Sequence, residues 1–333
     1  MYISLTNTIG ALRRNRGGDT TSFITTWRTT TANESITIPT TGTGYNYAIN
    51  TSDGQTFSGV TGNQSITFVS AGDYDISISG DFPIIYFNNG GDKTKLIDIK
   101  QWGNIAWSSF EKSFYGCSNL VGTVTDTPDL SGVTNLSAAF RICTLFNGDL
   151  SSWNLSTITN TSLTFFSATA FNSNISSWNV SNVSNAIYMF YQAESFNQNI
   201  NSWNVSSIPS MDNMMGRAYA FDYSLEDWDI SDVTNLYRFF RDCTLSTSNY
   251  DSTLIGWEAT LQAAYPSGTG YTPTITIEFG NSEYTGGGAA ATARASLISN
   301  FGWTITDGGI APEYLLKSDS GFLLQEDGSK ITL

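Results

Sequence analysis

Apolar and polar positions alternate with a long period through the middle of the chain. Trp153, Trp178, Trp203 and Trp228 recur every 25 residues; Pro128 holds the same place one unit earlier, and Trp102 opens the array after a one-residue insertion. Counted from that reference, apolar columns line up. Two places on stand Leu130, Leu155, Val180, Val205 and Ile230, and five places on stand Val133, Ile158, Val183, Ile208 and Val233. Twelve places on stand Phe114, Phe140, Phe165, Phe190, Met215 and Phe240; seven places before lie Phe146, Phe171, Phe196 and Phe221. From the residue three before each Trp, the inward positions are separated by 3, 2, 3, 3, 4, 3, 3 and 4. The step of two is strand periodicity, and the run of 4, 3, 3, 4 is helical or 3₁₀ periodicity. One unit cannot bury its own apolar edge, whereas stacked units share a continuous core. The pattern therefore predicts a mixed α/β solenoid over residues 98–258, leucine-rich-repeat-like, with short parallel strands and helical returns.

The flanks read differently. Residues 19–97 contain SITIPT, YNYAIN, QSITFVSAGDYDISISG and PIIYFN, β-branched or alternating runs separated by Gly, Asn and Asp turns, and predict a small β-sandwich. Residues 259–310 suit a cap that closes the array, with a helix over Ala289–Asn300 after the breaker Gly286-Gly287-Gly288. In residues 311–333 the pairs Leu315-Leu316 and Leu323-Leu324 flank a Ser-Asp-Ser-Gly turn, which predicts a β-hairpin tail.

Composition narrows the chemistry. The chain has 333 residues, no histidine and three cysteines, which leaves out His-based catalysis, His-containing metal sites and four-cysteine centres. Fifteen residues after the reference come Cys117, Cys143, Ala168, Ala193, Ala218 and Cys243, so the cysteines occupy a column that wants a small apolar side chain. Recurrent Asn and Ser columns, such as Asn154, Asn179 and Asn204, fit turn residues that bond their own backbone. A formal charge of −14 disfavours general nucleic-acid binding, and no apolar stretch is long enough to span a membrane as a helix. Arg13, Arg14 and Arg16 make residues 1–18 a basic arm, a candidate anchor onto an acidic partner surface. The opening residues lack the pattern of a secretory signal, which gives the expectation of no export by the general secretory route.

The units FNSNISSWNVSNVSNAIYMF and FNQNINSWNVSSIPSMDNMM resemble the 25-residue repeat of BspA-like leucine-rich-repeat surface proteins. That resemblance implies the solenoid fold and a role in adhesion and surface recognition, and it marks no catalytic residue. The segment AGDYDISISG resembles immunoglobulin-like modules of the polycystic-kidney-disease type, and the C-terminal tail is similar to tails of phage structural proteins. The resulting expectation is a non-enzymatic virion surface protein without a cofactor. Its partners would be other virion proteins, through the arm and hairpin, and a host glycan or protein; homo-oligomerisation is left open. A bacterial cell-surface adhesin is the alternative, and a polysaccharide depolymerase a second one, for which no acids share a column on adjacent units among the regular ones. Asp227, Asp229 and Asp232 are close enough in sequence to raise a Ca²⁺ site or a solvated cap. Thirteen residues after the reference come Tyr115, Arg141, Phe166, Tyr191 and Arg241. This stripe reads either as a receptor contact or as cover for the neighbouring Phe column.

Overall fold

The computed structural model describes residues 19–312 and the short strands at 316–317 and 323–324; Arg13, Arg14 and Arg16 lie outside the described residues. Seven strands come first: β1 (Phe23–Thr29), β2 (Glu34–Ile38), β3 (Asn46–Thr51), β4 (Thr56–Val60), β5 (Gln64–Phe68), β6 (Gly72–Asp81) and β7 (Leu96–Gln101). Five of them form one antiparallel sheet in the order β4-β3-β6-β1-β7, and β2 pairs with β5 as a separate antiparallel ladder. The alternation that predicts the strands also sets their faces, with Phe23, Trp27, Ile76 and Ile78 inward. Two comparable sheets are not formed, so the expected immunoglobulin-like sandwich is replaced by this five-plus-two arrangement. Side-chain alternation specifies which face is buried but not how strands are shared between sheets.

PIIYFN is not a strand. Its end serves the repeat instead: the amides of Phe87, Asn88 and Asn89 donate to the carbonyls of Ser113, Lys112 and Tyr115, so residues 87–89 form the floor on which the first unit rests.

The repeat itself departs from the expected mixed α/β solenoid. Between β7 and residue 246 there is no helix and no strand, only turns and the isolated parallel bridges Asn135–Asn160, Asn160–Asn185 and Ser210–Asn235. The expected columns are nonetheless inward: those 2, 5 and 12 places after the reference are all buried. What differs is the backbone. Ten and fourteen places after the reference the residue has a left-handed conformation in unit after unit, as in Leu163 (φ 59°) and Ser167 (55°), Tyr188 (58°) and Gln192 (58°), and Asn213 (51°) and Arg217 (60°). A helix cannot pass through such residues. Amides consequently alternate in direction. The Phe140, Ile142, Phe165 and Ser167 amides donate to the Thr164, Phe166, Met189 and Tyr191 carbonyls of the next unit, while the Arg141, Cys143, Phe166 and Ala168 amides donate three residues back. A 4, 3, 3, 4 spacing of inward side chains is thus met by a chain of tight turns with an interunit ladder.

Side chains complete that ladder. Trp178, Trp203 and Trp228 donate their indole N–H to the carbonyls of Leu150, Ile175 and Ile200 in the preceding unit. Asn147, Asn172 and Asn197 each accept the backbone amide found 25 residues on, at Asn172, Asn197 and Asp222. Phe140, Phe165 and Phe190 stack 5.9 and 5.7 Å apart with nearly parallel rings, and Phe171 and Phe196 stack against them at 3.7 and 4.1 Å. The three cysteines are buried and free.

Among the described residues regular α-helix is confined to the closing segment, in α1 (Thr247–Ala264) and α2 (Ala289–Ser299). There the short strands β8 (Thr276–Glu278), β9 (Glu283–Tyr284), β10 (Thr304–Thr306) and β11 (Gly309–Ile310) pair in parallel, β10 with β8 and β11 with β9. The Phe240 amide donates to the Glu278 carbonyl and that of Phe279 to Thr306, which carries the ladder of the repeat into this segment. Gly256 lets α1 lie directly on the last unit, since a Cβ there would collide with the Glu226 carbonyl. In the tail, β12 (Leu316–Lys317) and β13 (Leu323–Leu324) pair antiparallel.

Candidate functional site

The carbonyls of Tyr115, Arg141, Phe166, Tyr191 and Arg241 are rungs of the interunit ladder: they accept from Asn89, Gly116, Ile142, Ser167 and Arg217. The ladder therefore holds the stripe in register, and the side chains of Tyr115, Arg141, Phe166 and Tyr191 meet, whereas Arg241 stands beyond Gly216 and pairs with Asp242. The Arg141 guanidinium carbon lies 4.8 Å from the Tyr115 ring centroid and 4.7 Å from that of Phe166. Phe166 stacks on Tyr191 at 5.1 Å, and Arg217 approaches the other side of Tyr191 at 5.9 Å. Gly216 occupies the stripe where an aromatic residue stands in the unit before. A Cβ there would come within 2.9 Å of the Tyr191 ring, so the glycine makes room for it. All five stripe residues are half-buried.

Two features follow that the sequence reading did not contain. First, Phe166 lies between Arg141 and Tyr191, and Tyr191 between Phe166 and Arg217, so these rings are already taken by neighbouring side chains. Stacking of a sugar on Phe166 is therefore not what this arrangement offers. Second, the face is wider than one column. Tyr188 sits 6.1 Å from Phe166 and 5.3 Å from Tyr191, its hydroxyl accepting from Asn213 Nδ2, and Arg238 lies over the exposed Tyr237 at 4.7 Å. For the cations of this wider face a signal was present in the sequence. Every Lys and Arg between 103 and 246 (Lys112, Arg141, Arg217, Arg238 and Arg241) falls 10, 13 or 14 places after a reference position. In an acidic chain, that concentrates the cations of the repeat on one face.

Most of these cations are paired. Arg217 and Arg241 share Asp242 at 2.9 and 3.5 Å, Arg238 faces Glu278 at 3.6 Å, and Lys112 faces Glu111 at 3.3 Å. Tyr188 has its hydroxyl pKa raised, by partial burial first and by the nearby Asp212 second.

Other candidates resolve into local structure. Asp227 accepts from the Asn201 side chain and Asp229 from Ser231. Among the described residues no group of three acidic, Cys or His side chains is disposed to hold a metal ion. Burial raises the thiol pKa of all three cysteines, that of Cys243 to about 12. At the junction of β1, β7 and the first units, a groove of about 440 Å³ is lined by Thr26, Arg28, Asp98, Lys100, Val121 and Leu145. Its two cations are already bound to Asp73 and Asp75.

Residues 108–220 and 187–260 match the family model described as "Mycoplasma protein of unknown function, DUF285". The two overlapping matches fall on the repeat, and they support its resemblance to BspA-like surface repeat proteins; together they span less than half of the chain. No curated protein and no solved structure gives a match.

Proposed function

We propose that the chain is a non-enzymatic surface-recognition protein of a phage particle, in which the repeat presents the aromatic and arginine face to the host surface. The observation that carries this reading is the stripe itself: five large side chains held in register by backbone rungs, with the repeat's cations gathered beside them. A rigid surface rich in Tyr and Arg suits recognition because little side-chain freedom is lost on binding. The virion placement is supported by the basic arm and by the likeness of the tail to phage structural proteins. A second reading, a bacterial cell-surface adhesin, is favoured by the matched family, whose description names Mycoplasma.

Labelled full-length protein should bind host cells saturably. Replacing Phe166 and Tyr191 together by Ala should weaken adsorption about tenfold or more while the thermal transition stays cooperative. Adsorption equal to that of the unchanged protein would remove this face from the account. Mass spectrometry of purified particles and of cell envelopes separates the two placements: the chain in particles supports the first, and the chain in envelopes alone supports the second.

A further inference from the structure

We propose that Arg141 is a preformed anchor for the carboxylate of an acidic glycan, one containing hexuronate or a similarly carboxylated sugar. This rests on the recognition reading above and names the chemistry of what is recognised.

Arg141 differs from the other cations of its face. Lys112, Arg217, Arg238 and Arg241 each have a carboxylate within 4 Å, whereas Arg141 has none among the described residues. Its Nε is buried without a hydrogen-bond partner, while the residue as a whole is half-buried. The guanidinium carbon lies between the Tyr115 and Phe166 rings, 4.8 and 4.7 Å from their centroids, so the two rings restrict how far the group can move. A planar fork of N–H groups restrained in this way matches a carboxylate, with much of the ordering of the long side chain already paid within the protein.

The surroundings distinguish a glycan from an acidic peptide. The ring faces next to Arg141 are covered by the guanidinium, so no apolar pocket for a peptide side chain is offered at the clamp. A hydroxyl accompanies it instead, since Tyr115, whose ring lies on one side of the guanidinium, carries a phenol that can bond a sugar hydroxyl. A carboxylate surrounded by hydroxyls is the chemistry of a uronic acid. The chain's charge of −14 opposes long polyanions in general, which makes a local, geometrically defined contact more selective than a diffuse basic patch.

The test is calorimetric titration of the full chain with trigalacturonate and with a hyaluronan hexasaccharide. Controls are the carboxyl-reduced forms of both and the peptide Glu-Glu-Glu. The expected result is binding of at least one uronate oligosaccharide, lost on carboxyl reduction and not matched by the peptide. Arg141→Gln should weaken that binding about tenfold or more, and Arg141→Lys, which keeps the charge but not the fork, several-fold. Tyr115→Leu keeps the arginine and loosens the clamp; it should also weaken binding, which separates loss of the site from loss of fold. Equal affinity for the reduced sugars or for Glu-Glu-Glu, no uronate binding at all, or full affinity in Arg141→Gln would each overturn the proposal. Host-cell adsorption distinguishes the two levels. If the unchanged protein adsorbs and Arg141→Gln adsorbs equally, the anchor falls and the recognition reading stands; if the unchanged protein does not adsorb, that reading falls.

Discussion

The sheet of residues 23–101 and the repeat that follows it satisfy their backbones in different ways. In the sheet, extended strands pair edge to edge and charged side chains brace the outside: Arg28 to Asp73, Lys100 to Asp75, and Lys95 to both Glu34 and Asp92. In the repeat, amides point alternately to the next unit and back into their own turn, and neutral amide and hydroxyl side chains take the place of most ion pairs. The difference has a physical cause. Stacking one unit on the next puts identical positions about one chain width apart, and a carboxylate repeated at that spacing repels itself, whereas an Asn column hydrogen-bonds along its length. Acids accordingly enter the Asn column only at its end, where Asp222 accepts from Ser246 and Asn249 of the closing segment.

The largest effect should come from the shared aromatic column. Phe190 packs on Phe165, Phe196 and Trp203, and Phe190→Ala should destabilise the protein by about 3–5 kcal/mol in chemical denaturation. A cost under about 1 kcal/mol would mean the column does not act as a common core. The Asn ladder is the next test. Asn197→Ala strands the part-buried Asp222 amide and removes one rung, for an expected loss of about 1–2 kcal/mol.

Acid should separate the two regions. The Glu34 carboxyl is held down at about 2, by the Thr30 amide first, then by the Lys95 ammonium and the Thr31 amide. Because the folded value lies below the unfolded one of 4.5, its contribution is complete above that pH and disappears as pH falls through about 2. Unfolding midpoints of the unchanged protein and of Glu34→Gln should therefore converge between about pH 5 and pH 2. A gap that stays constant over that range would show that the carboxylate's ionisation is not what the sheet uses.

How much of this was readable from the sequence depends on what each residue reports. Side-chain spacing reported burial: the Trp, Phe, Val and cysteine columns are inward as their period required, and Asn154, Asn179 and Asn204 bond locally to the amides two residues on. The backbone path was not readable, because steps of 4, 3, 3, 4 are produced equally by a helix and by tight turns with a left-handed residue at every fourth place. Glycine or asparagine would have signalled such places, but most are filled by residues such as Ile142, Leu163 and Tyr188, held there by tertiary pairing against their own preference. The helix α1 was missed for the opposite reason, since its Trp257 continues the indole ladder of the repeat by donating to the Leu225 carbonyl. Of the candidate face, the stripe was legible as one column. Tyr188, Arg217 and Arg238 belong to neighbouring columns that only the turn geometry brings beside it.

The left-handed places distinguish the two regions most directly, through the sign of a glycine substitution. Lys112 (φ 53°) is a partly exposed residue at such a place, and Ser77 lies in the middle of β6, paired to both β1 and β3. Denaturation of the full chain with Lys112→Gly and, separately, Ser77→Gly gives the comparison. Relief of the left-handed conformation should make Lys112→Gly neutral or stabilising by up to about 1 kcal/mol, while Ser77→Gly should cost about 1 kcal/mol. A loss of about 1 kcal/mol in Lys112→Gly, the value for glycine inside a helix, would contradict the account of the repeat as a ladder of turns.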